Sequence, residues 1–347
     1  MREYRLGVIG GDGIGPEVTA AALRVLDAAE ARFGFTTFRQ EYPWSGARYL
    51  ATGEHVTPAL LEPLRALDAI LFGAVGHPGV PRGLLEREII FGLRQGFDLF
   101  VNLRPLVLYD ERLCPLKGKG PRDVDIVVIR ENTEDVYGRE GTTLGEGPDQ
   151  TASVEMRFTR RGIERIIRYA FARARERPRR HLTLVDKANA IPIQGLWREV
   201  LEELGGQFPD VTTDAMYVDA ACMWLVQKPE RFDVVVTTNL FGDIISDLGA
   251  AICGGLGVGA SGNIHPGRVS MFEPIHGSAP KYAGQGVASP IGAIGALALL
   301  LTHIGEREAA AAVDGAVRRG FADGWIRGVE AGSAPTMAVA DGVADAL

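Results

Sequence analysis

The 347-residue chain has few cysteines, no long apolar run and no excess of basic charge. Its three cysteines, Cys114, Cys222 and Cys253, are odd in number and far apart, which excludes a disulfide framework and a CxxC metal knuckle. Buried thiols in a reducing cytosol are expected instead. The most apolar late stretch, IGAIGALALLLTHIG, is too short to span a bilayer and reads as a buried helix. With no signal-like segment ahead of the first strand, a soluble, cytoplasmic protein without membrane contacts is expected. A formal net charge of −7 argues against a nucleic-acid binder, yet leaves room for a local cationic pocket. Repeats and a clear linker are also missing, which suits domains that share strands.

What is present is alternation. Apolar runs such as YRLGVIG, DAILFGAVG, VDIVVIREN and HLTLVDKAN alternate with helical patterns, which predicts an α/β protein with strands covered on both faces. Near 163–174, Ile163, Ile166, Ile167, Ala170, Phe171 and Ala174 share one helical face. The adjoining RARERPRRH reads as that helix's solvated end. The segment GVIGGDGIGPEV at 7–18 has the outline of a strand, a tight turn and a helix with Pro16 in its first turn. Its glycines miss the dinucleotide spacing, and no acidic residue stands about 20 positions on. It is read as a turn bordering a cleft.

Several side chains carry chemistry. Arg94, Arg104 and Arg130 can converge on a carboxylate-rich substrate, although singly each serves equally well in a structural ion pair. Tyr137 can act as an acid if its hydroxyl faces the same cleft. Asp243 and Asp247 lie one helical turn apart. As hard oxygen donors without nearby His or Cys they suit Mg²⁺ or Mn²⁺, and capping or solvating a helix is the plainer alternative. Asp219 and Lys187 follow apolar strands at cleft edges, where a desolvated lysine can accept a proton. The loop MFEPIHGSAPKYAGQGVASP at 271–290 has amides at Gly277 and Ser278 able to hold phosphate, with Lys281 and Tyr282 beside them.

Together, GDGIGPE, FGAVG, VNLRP, RENTEDVY, DKAN, NLFGDIISDLGA and FEPIHGSAP resemble the metal-dependent β-decarboxylating dehydrogenases, the isocitrate/isopropylmalate dehydrogenase family, across residues 7–305. The resemblance implies a non-Rossmann isopropylmalate dehydrogenase-like fold with a discontinuous cofactor-binding domain, 1–101 plus 255–347, and a substrate, metal and dimerisation domain, 102–254. It implies a homodimer with shared active sites. It assigns Tyr137 and Lys187 to acid–base chemistry, Arg94, Arg104 and Arg130 to substrate carboxylates, and Asp219, Asp243 and Asp247 to the metal. Lys187 and Asp219 then come from the neighbouring subunit. Glu273, His276, Gly277, Ser278, Ala279, Lys281, Tyr282 and Ser289 fall on the family's cofactor loop.

Two departures set finer expectations. NAD-using members commonly carry an aspartate where Lys281 stands, so NADP is expected, with NAD the alternative; Ser289 replaces the usual asparagine. In LLEREIIFGLR, Glu88 and Ile90 replace the Ser and Asn of isocitrate enzymes, and Ile90 with Phe91 keeps an apolar pocket. The expected substrate is a 3-substituted malate, foremost 3-isopropylmalate. A paralogue acting on tartrate or D-malate, isocitrate or homoisocitrate, or a phosphono-type malate remains open, because Arg82 and Arg87 leave room for an anionic substituent. A regulatory subunit or nucleotide-binding module is disfavoured by the intact lysine, tyrosine and aspartates.

Overall fold

Runs rich in Val, Ile and Leu form strands because β-branched side chains pack well on a sheet buried on both faces. The computed structural model describes residues 2–347. Its strands are β1 (Arg2–Gly11), β2 (Phe35–Glu41), β3 (Ala69–Ala74), β4 (Val101–Val107), β5 (Asp125–Glu131), β6 (Thr142–Leu144), β7 (Thr151–Ser153), β8 (His181–Asp186), β9 (Thr212–Tyr217), β10 (Val234–Thr237), β11 (Ala260–Ile264) and β12 (Met271–Pro274). The helices are α1 (Gly15–Phe33), α2 (Gly46–Thr52), α3 (Pro58–Leu61), α4 (Gly92–Gly96), α5 (Arg160–Arg175), α6 (Gly195–Gly205), α7 (Val218–Gln227), α8 (Asn239–Ile252), α9 (Ile291–His303), α10 (Arg307–Ala322) and α11 (Thr336–Asp345).

Ten strands form one sheet in the order β2-β1-β3-β12-β11-β4-β5-β10-β8-β9, and β6 pairs with β7 in a separate hairpin. β2, β1, β3 and β12 are parallel, as are β5, β10, β8 and β9. Antiparallel β11 and β4 join the two sets, which therefore run in opposite senses. This is the expected α/β architecture.

The six apolar positions of α5 are all fully buried. Burial of each large one stabilises the fold by roughly 1.5–3 kcal/mol. The stretch IGAIGALALLLTHIG forms α9, packed against β3, β11, β12 and α10. Among the described residues no helix is long and apolar enough to cross a membrane.

LLEREIIFGLR folds in two parts: Glu86–Phe91 is π-helical and runs into α4. Two local expectations need correction. Of the cysteines, all free, only Cys253 is buried; Cys114 and Cys222 are half-buried. The basic end of α5 is more than solvated, because Arg177 pairs with the fully buried Asp233 and Arg179 donates to the Phe232 carbonyl at 2.9 Å. These arginines clasp the loop before β10.

Candidate active site

Three guanidiniums gather beside the seam between the two strand sets. Arg104 sits on β4, Arg130 near the end of β5, and Arg94 on α4; all three are buried. Asp243, in the second turn of α8, binds two of them. Its Oδ1 accepts from Arg130 Nη1 and, at 3.2 Å, from Arg104 Nη1, while its Oδ2 accepts from the Tyr137 hydroxyl at 2.9 Å. Arg104 also donates to Asn102 Oδ1 at 2.7 Å and Ser246 Oγ at 2.7 Å, and lies 3.4 Å from Asp247 Oδ1. Arg94 donates to Glu273 Oε1 at 3.1 Å, and its buried Nε finds no acceptor.

Charge crowding shows in the protonation equilibria. Burial pulls Arg130 down, and repulsion from Arg104 and Arg94 adds to it. Burial also pushes Asp243 up, but Arg130 and Arg104 outweigh it and hold the carboxyl below its usual range. Asp247 is raised by burial, with Arg104 only partly opposing, and its side chain stays 54% exposed. Burial, then Asp243, raises Tyr137, so its hydroxyl keeps its proton at neutral pH.

Lys187 and Asp219 form a separate pair. Lys187 Nζ lies 2.7 Å from Asp219 Oδ1, and the Asp219 side chain is 68% exposed at the start of α7. The Lys187 backbone N–H donates to Gln194 Oε1 at 2.7 Å. Among the described residues no three acidic, His or Cys side chains stand close enough to hold a metal within one chain. One chain thus brings together Asp243 and Asp247 but not Asp219. Two hard carboxylate donors one turn apart fit Mg²⁺ or Mn²⁺ in kind, and a third has to come from elsewhere.

The two loops singled out in the sequence meet. Gly13 has a φ of +59°, and a Cβ there would fall 1.9 Å from the Ser278 carbonyl oxygen, so only glycine fits. The Ile14 N–H donates to that same carbonyl at 2.8 Å, and Ser278 Oγ donates to the Gly76 carbonyl at 2.7 Å. His276, lowered by burial, has a buried Nε2 without a partner; its Nδ1 lies 3.0 Å from the Gly277 carbonyl. Lys281 is exposed, its ammonium 4.6 Å from the Tyr282 ring centre in a turn preceded by Ala279. Two loop residues face other partners. Glu273 is held by Arg94 and Asn263, and the Ser289 hydroxyl lies 3.4 Å from both the Gly257 carbonyl and the Ile291 N–H at the start of α9.

At the π-helical turn, Phe91 lines a cleft of about 960 Å³ with Val56, Leu61, Arg87 and Gly138, next to Tyr137. Ile90 packs against the smaller core cluster. Glu88 is engaged elsewhere, 2.6 Å from His55 Nδ1 and accepting from Val56 N at 2.9 Å. Arg82 is exposed and Arg87 borders the cleft.

Sequence reasoning missed the carboxylates that hold these loops. Asp12 accepts N–H bonds from Gly46 (2.8 Å), Ala47 (3.2 Å) and Gly76 (3.1 Å), and Glu17 accepts from Gly286 at 3.1 Å and Ala288 at 3.3 Å. In RENTEDVY, buried Glu131 takes the N–H groups of Thr133 and Glu134, and Glu134 takes Thr159 N at the start of α5. Asp135, at φ +77°, accepts from Leu240 N at the start of α8. The loop bearing Tyr137 is thereby tied to the helix bearing Asp243. The signal was the density of acids in that motif, since side-chain oxygens that accept local N–H groups stabilise turns and helix starts.

With this geometry in view, the comparisons with known proteins are specific. The profile of the family described as isocitrate/isopropylmalate dehydrogenase matches residues 5–338. A 3-isopropylmalate dehydrogenase of Thermobifida fusca is 51% identical over 320 residues, covering 91% of this chain and 90% of that one. One from Mycobacterium avium is 50% identical, covering 91% and 93%. The crystal structure of isocitrate dehydrogenase from Methylococcus capsulatus superposes with a TM-score of 0.86 at 36% identity, covering 99% of both chains. The β-decarboxylating dehydrogenase of Thermococcus kodakarensis gives 0.79 at 33% identity, covering 99% and 96%. The chain therefore belongs to the isocitrate/isopropylmalate dehydrogenase family of β-decarboxylating oxidoreductases that act on a CH–OH group.

Proposed function

We propose that the chain oxidatively decarboxylates a 3-substituted malate, 3-isopropylmalate foremost, with NADP as acceptor. The observation that carries this is the cationic trio. Three buried guanidiniums are offset by the partly buried Asp243 and by Glu273, and an Arg94 N–H is left without an acceptor, so a substrate with more than one carboxylate supplies what is missing. Phe91, Val56 and Leu61 give the cleft at the π-helical turn hydrocarbon against which an alkyl substituent would pack, while Arg65, Arg87 and Arg139 on the same lining keep an anionic substituent as the second reading. The names carried by relatives at about 50% identity accord with this reading.

Asp243 and Asp247 of one chain and Asp219 of a second copy would hold Mg²⁺ or Mn²⁺. The cation would supply Lewis-acid polarisation of the hydroxyl and carboxylate oxygens, and the nucleotide would accept the hydride. Lys187, in its neutral amine form with its own proton first given up to solvent, would take the substrate hydroxyl proton as the C2 hydride leaves. Arg94, Arg104 and Arg130 hold the carboxylates while the C3–CO₂ bond breaks. Tyr137 donates its hydroxyl proton to C3, completing the exchange.

A homodimer with shared sites is supported by Lys187 and Asp219 pairing with each other outside any single-chain cluster of three metal-ligating side chains. The domain division at 1–101 plus 255–347 and 102–254 is proposed on the seam where antiparallel β11 and β4 meet. Lys281 and Tyr282 would face the 2′-phosphate of NADP, and the three free cysteines suit a cytoplasmic setting. The test is a substrate panel with purified protein, Mg²⁺ and both nucleotides. The reading expects the highest kcat/KM on 3-isopropylmalate with NADP; higher efficiency on isocitrate would refute the apolar pocket.

A further inference from the structure

A second cavity lies behind the candidate active site, and nothing in the proposed reaction uses it. About 340 Å³ in volume, it is bounded by β4, the end of α8, β11, α9 and α10. A narrower groove of about 200 Å³ continues it toward α5, and the two share Leu299, Thr302 and Arg307. The first volume lies within the range of small-molecule sites. By comparison with benzene, six carbons in a cavity of about 150 Å³, it admits up to roughly fourteen non-hydrogen atoms.

The walls are apolar. Leu106, Ala260 and Leu299 supply hydrocarbon, and burial pushes the Cys253 thiol up to about 12, leaving it uncharged and unreactive. The acid on the lining is already neutralised: Asp314 pairs with Arg318 at 2.6 Å and accepts from the Tyr109 hydroxyl at 3.3 Å. Arg307 is different. It is exposed at the mouth, and among the described residues no carboxylate lies within ion-pair distance of its guanidinium. An apolar cavity with one unpartnered cation at its mouth complements a short hydrocarbon chain ending in a carboxylate.

The geometry points to a binding site for an apolar monocarboxylate of about eight carbons, its tail among Leu106, Cys253 and Leu299 and its carboxylate on Arg307. The site borders two elements of the candidate active site. Pro105 on its wall follows Arg104 on β4, and Ala250 follows Asp247 by one turn on α8. An occupant therefore bears on the two elements that carry a substrate arginine and a metal carboxylate.

Octanoate is the probe, titrated into the dimer and followed by calorimetry and thermal shift. Saturable binding is expected. Arg307→Gln should weaken it at least about 10-fold, the scale of one charge-assisted hydrogen bond, and Ala298→Phe, which fills the cavity, should abolish it. Both variants should keep wild-type turnover in the absence of octanoate. 1-Octanol and acetate, each retaining half of the chemistry, should bind at least 10-fold more weakly than octanoate. Norleucine distinguishes sources: comparable binding assigns the site to apolar α-amino acids as well as to plain acids, and much weaker binding to plain acids alone. Octanoate binding unchanged in both variants, or purely competitive with 3-isopropylmalate, would overturn the proposal.

Discussion

On α8, Asp243 receives two guanidiniums and a phenol from its own chain; on α7, Asp219 stands largely in solvent and holds one lysine. Both are carboxylates in the first half of a helix that follows a sheet strand. The difference teaches where one chain's work ends. Asp243 is set among charges that only long-range folding could assemble, whereas Asp219 and Lys187 present a matched pair outward. An exposed ion pair of this kind contributes little to stability, about 0–1 kcal/mol. Its placement is what the proposed site, completed by a second copy, would require.

The sharpest way to break the comparison is to neutralise both acids. Asp243→Asn should lower kcat by roughly 10³-fold, the scale of losing a charge that stabilises the reacting centre, with circular dichroism unchanged. Asp219→Asn should be comparably damaging despite its exposure. An ordinary surface acid would shift stability by no more than about 0.5 kcal/mol and leave kcat alone, so normal turnover in Asp219→Asn would remove it from the site.

The loop proposed to hold the nucleotide offers the next largest effect. Lys281→Asp replaces a cation facing the proposed 2′-phosphate with a repelling anion. The ratio of kcat/KM for NADP over NAD should fall by about 10- to 150-fold or more. An unchanged ratio would mean that the exposed Lys281 stays with Tyr282 and solvent.

Subunit mixing sharpens the comparison directly. Lys187→Ala and Asp243→Asn proteins are each expected to be inactive. Random exchange makes half the dimers mixed, and each mixed dimer regains one intact site of two, so activity should recover to about a quarter of wild type. Continued inactivity with heterodimers demonstrated by mass spectrometry would confine the site to one chain.

The smallest effects separate the two acids of α8. Asp243 is held below its usual range, so it contributes stability above the unfolded value of about 3.9, lost as pH falls through its folded value. Asp247 is raised, so its contribution is present below that unfolded value and lost as pH rises through the folded one. Asp243→Asn should therefore flatten the acid limb of a urea-denaturation pH profile. Asp247→Asn should stabilise the protein near neutral pH by less than about 1 kcal/mol, because solvent screens a half-exposed group. Opposite signs would reverse the burial argument for this helix.

Much of the fold was legible because its signals are local. The apolar face of α5 and the buried α9 follow from periodicity and composition, and both formed where that pattern placed them. Among the candidate site residues, Arg104, Arg130, Tyr137 and Asp243 were named from motifs, and their side chains do meet. The π-helical turn at Glu86–Phe91 was not legible, because an apolar stripe does not reveal one extra residue per turn. Nor was the engagement of Glu88 with His55 and Val56, or of Glu273 with Arg94, since a charged residue's partner is chosen across the fold.

The sequence by itself determined the strand and helix periods, the glycine turn's failure as a dinucleotide fingerprint, and the family through the order of its motifs. These depend on steric and hydrophobic preferences acting within a few residues, or on residue identity alone. Only the tertiary structure decided that Gly13 must be bare because Ser278, 265 positions later, lies against it. It also decided that three arginines from α4, β4 and β5 share one buried centre, and that Asp219 does not join Asp243 within one chain. The physical reason is that burial and charge partners arise from which distant segments the sheet brings side by side, and no local pattern encodes that adjacency.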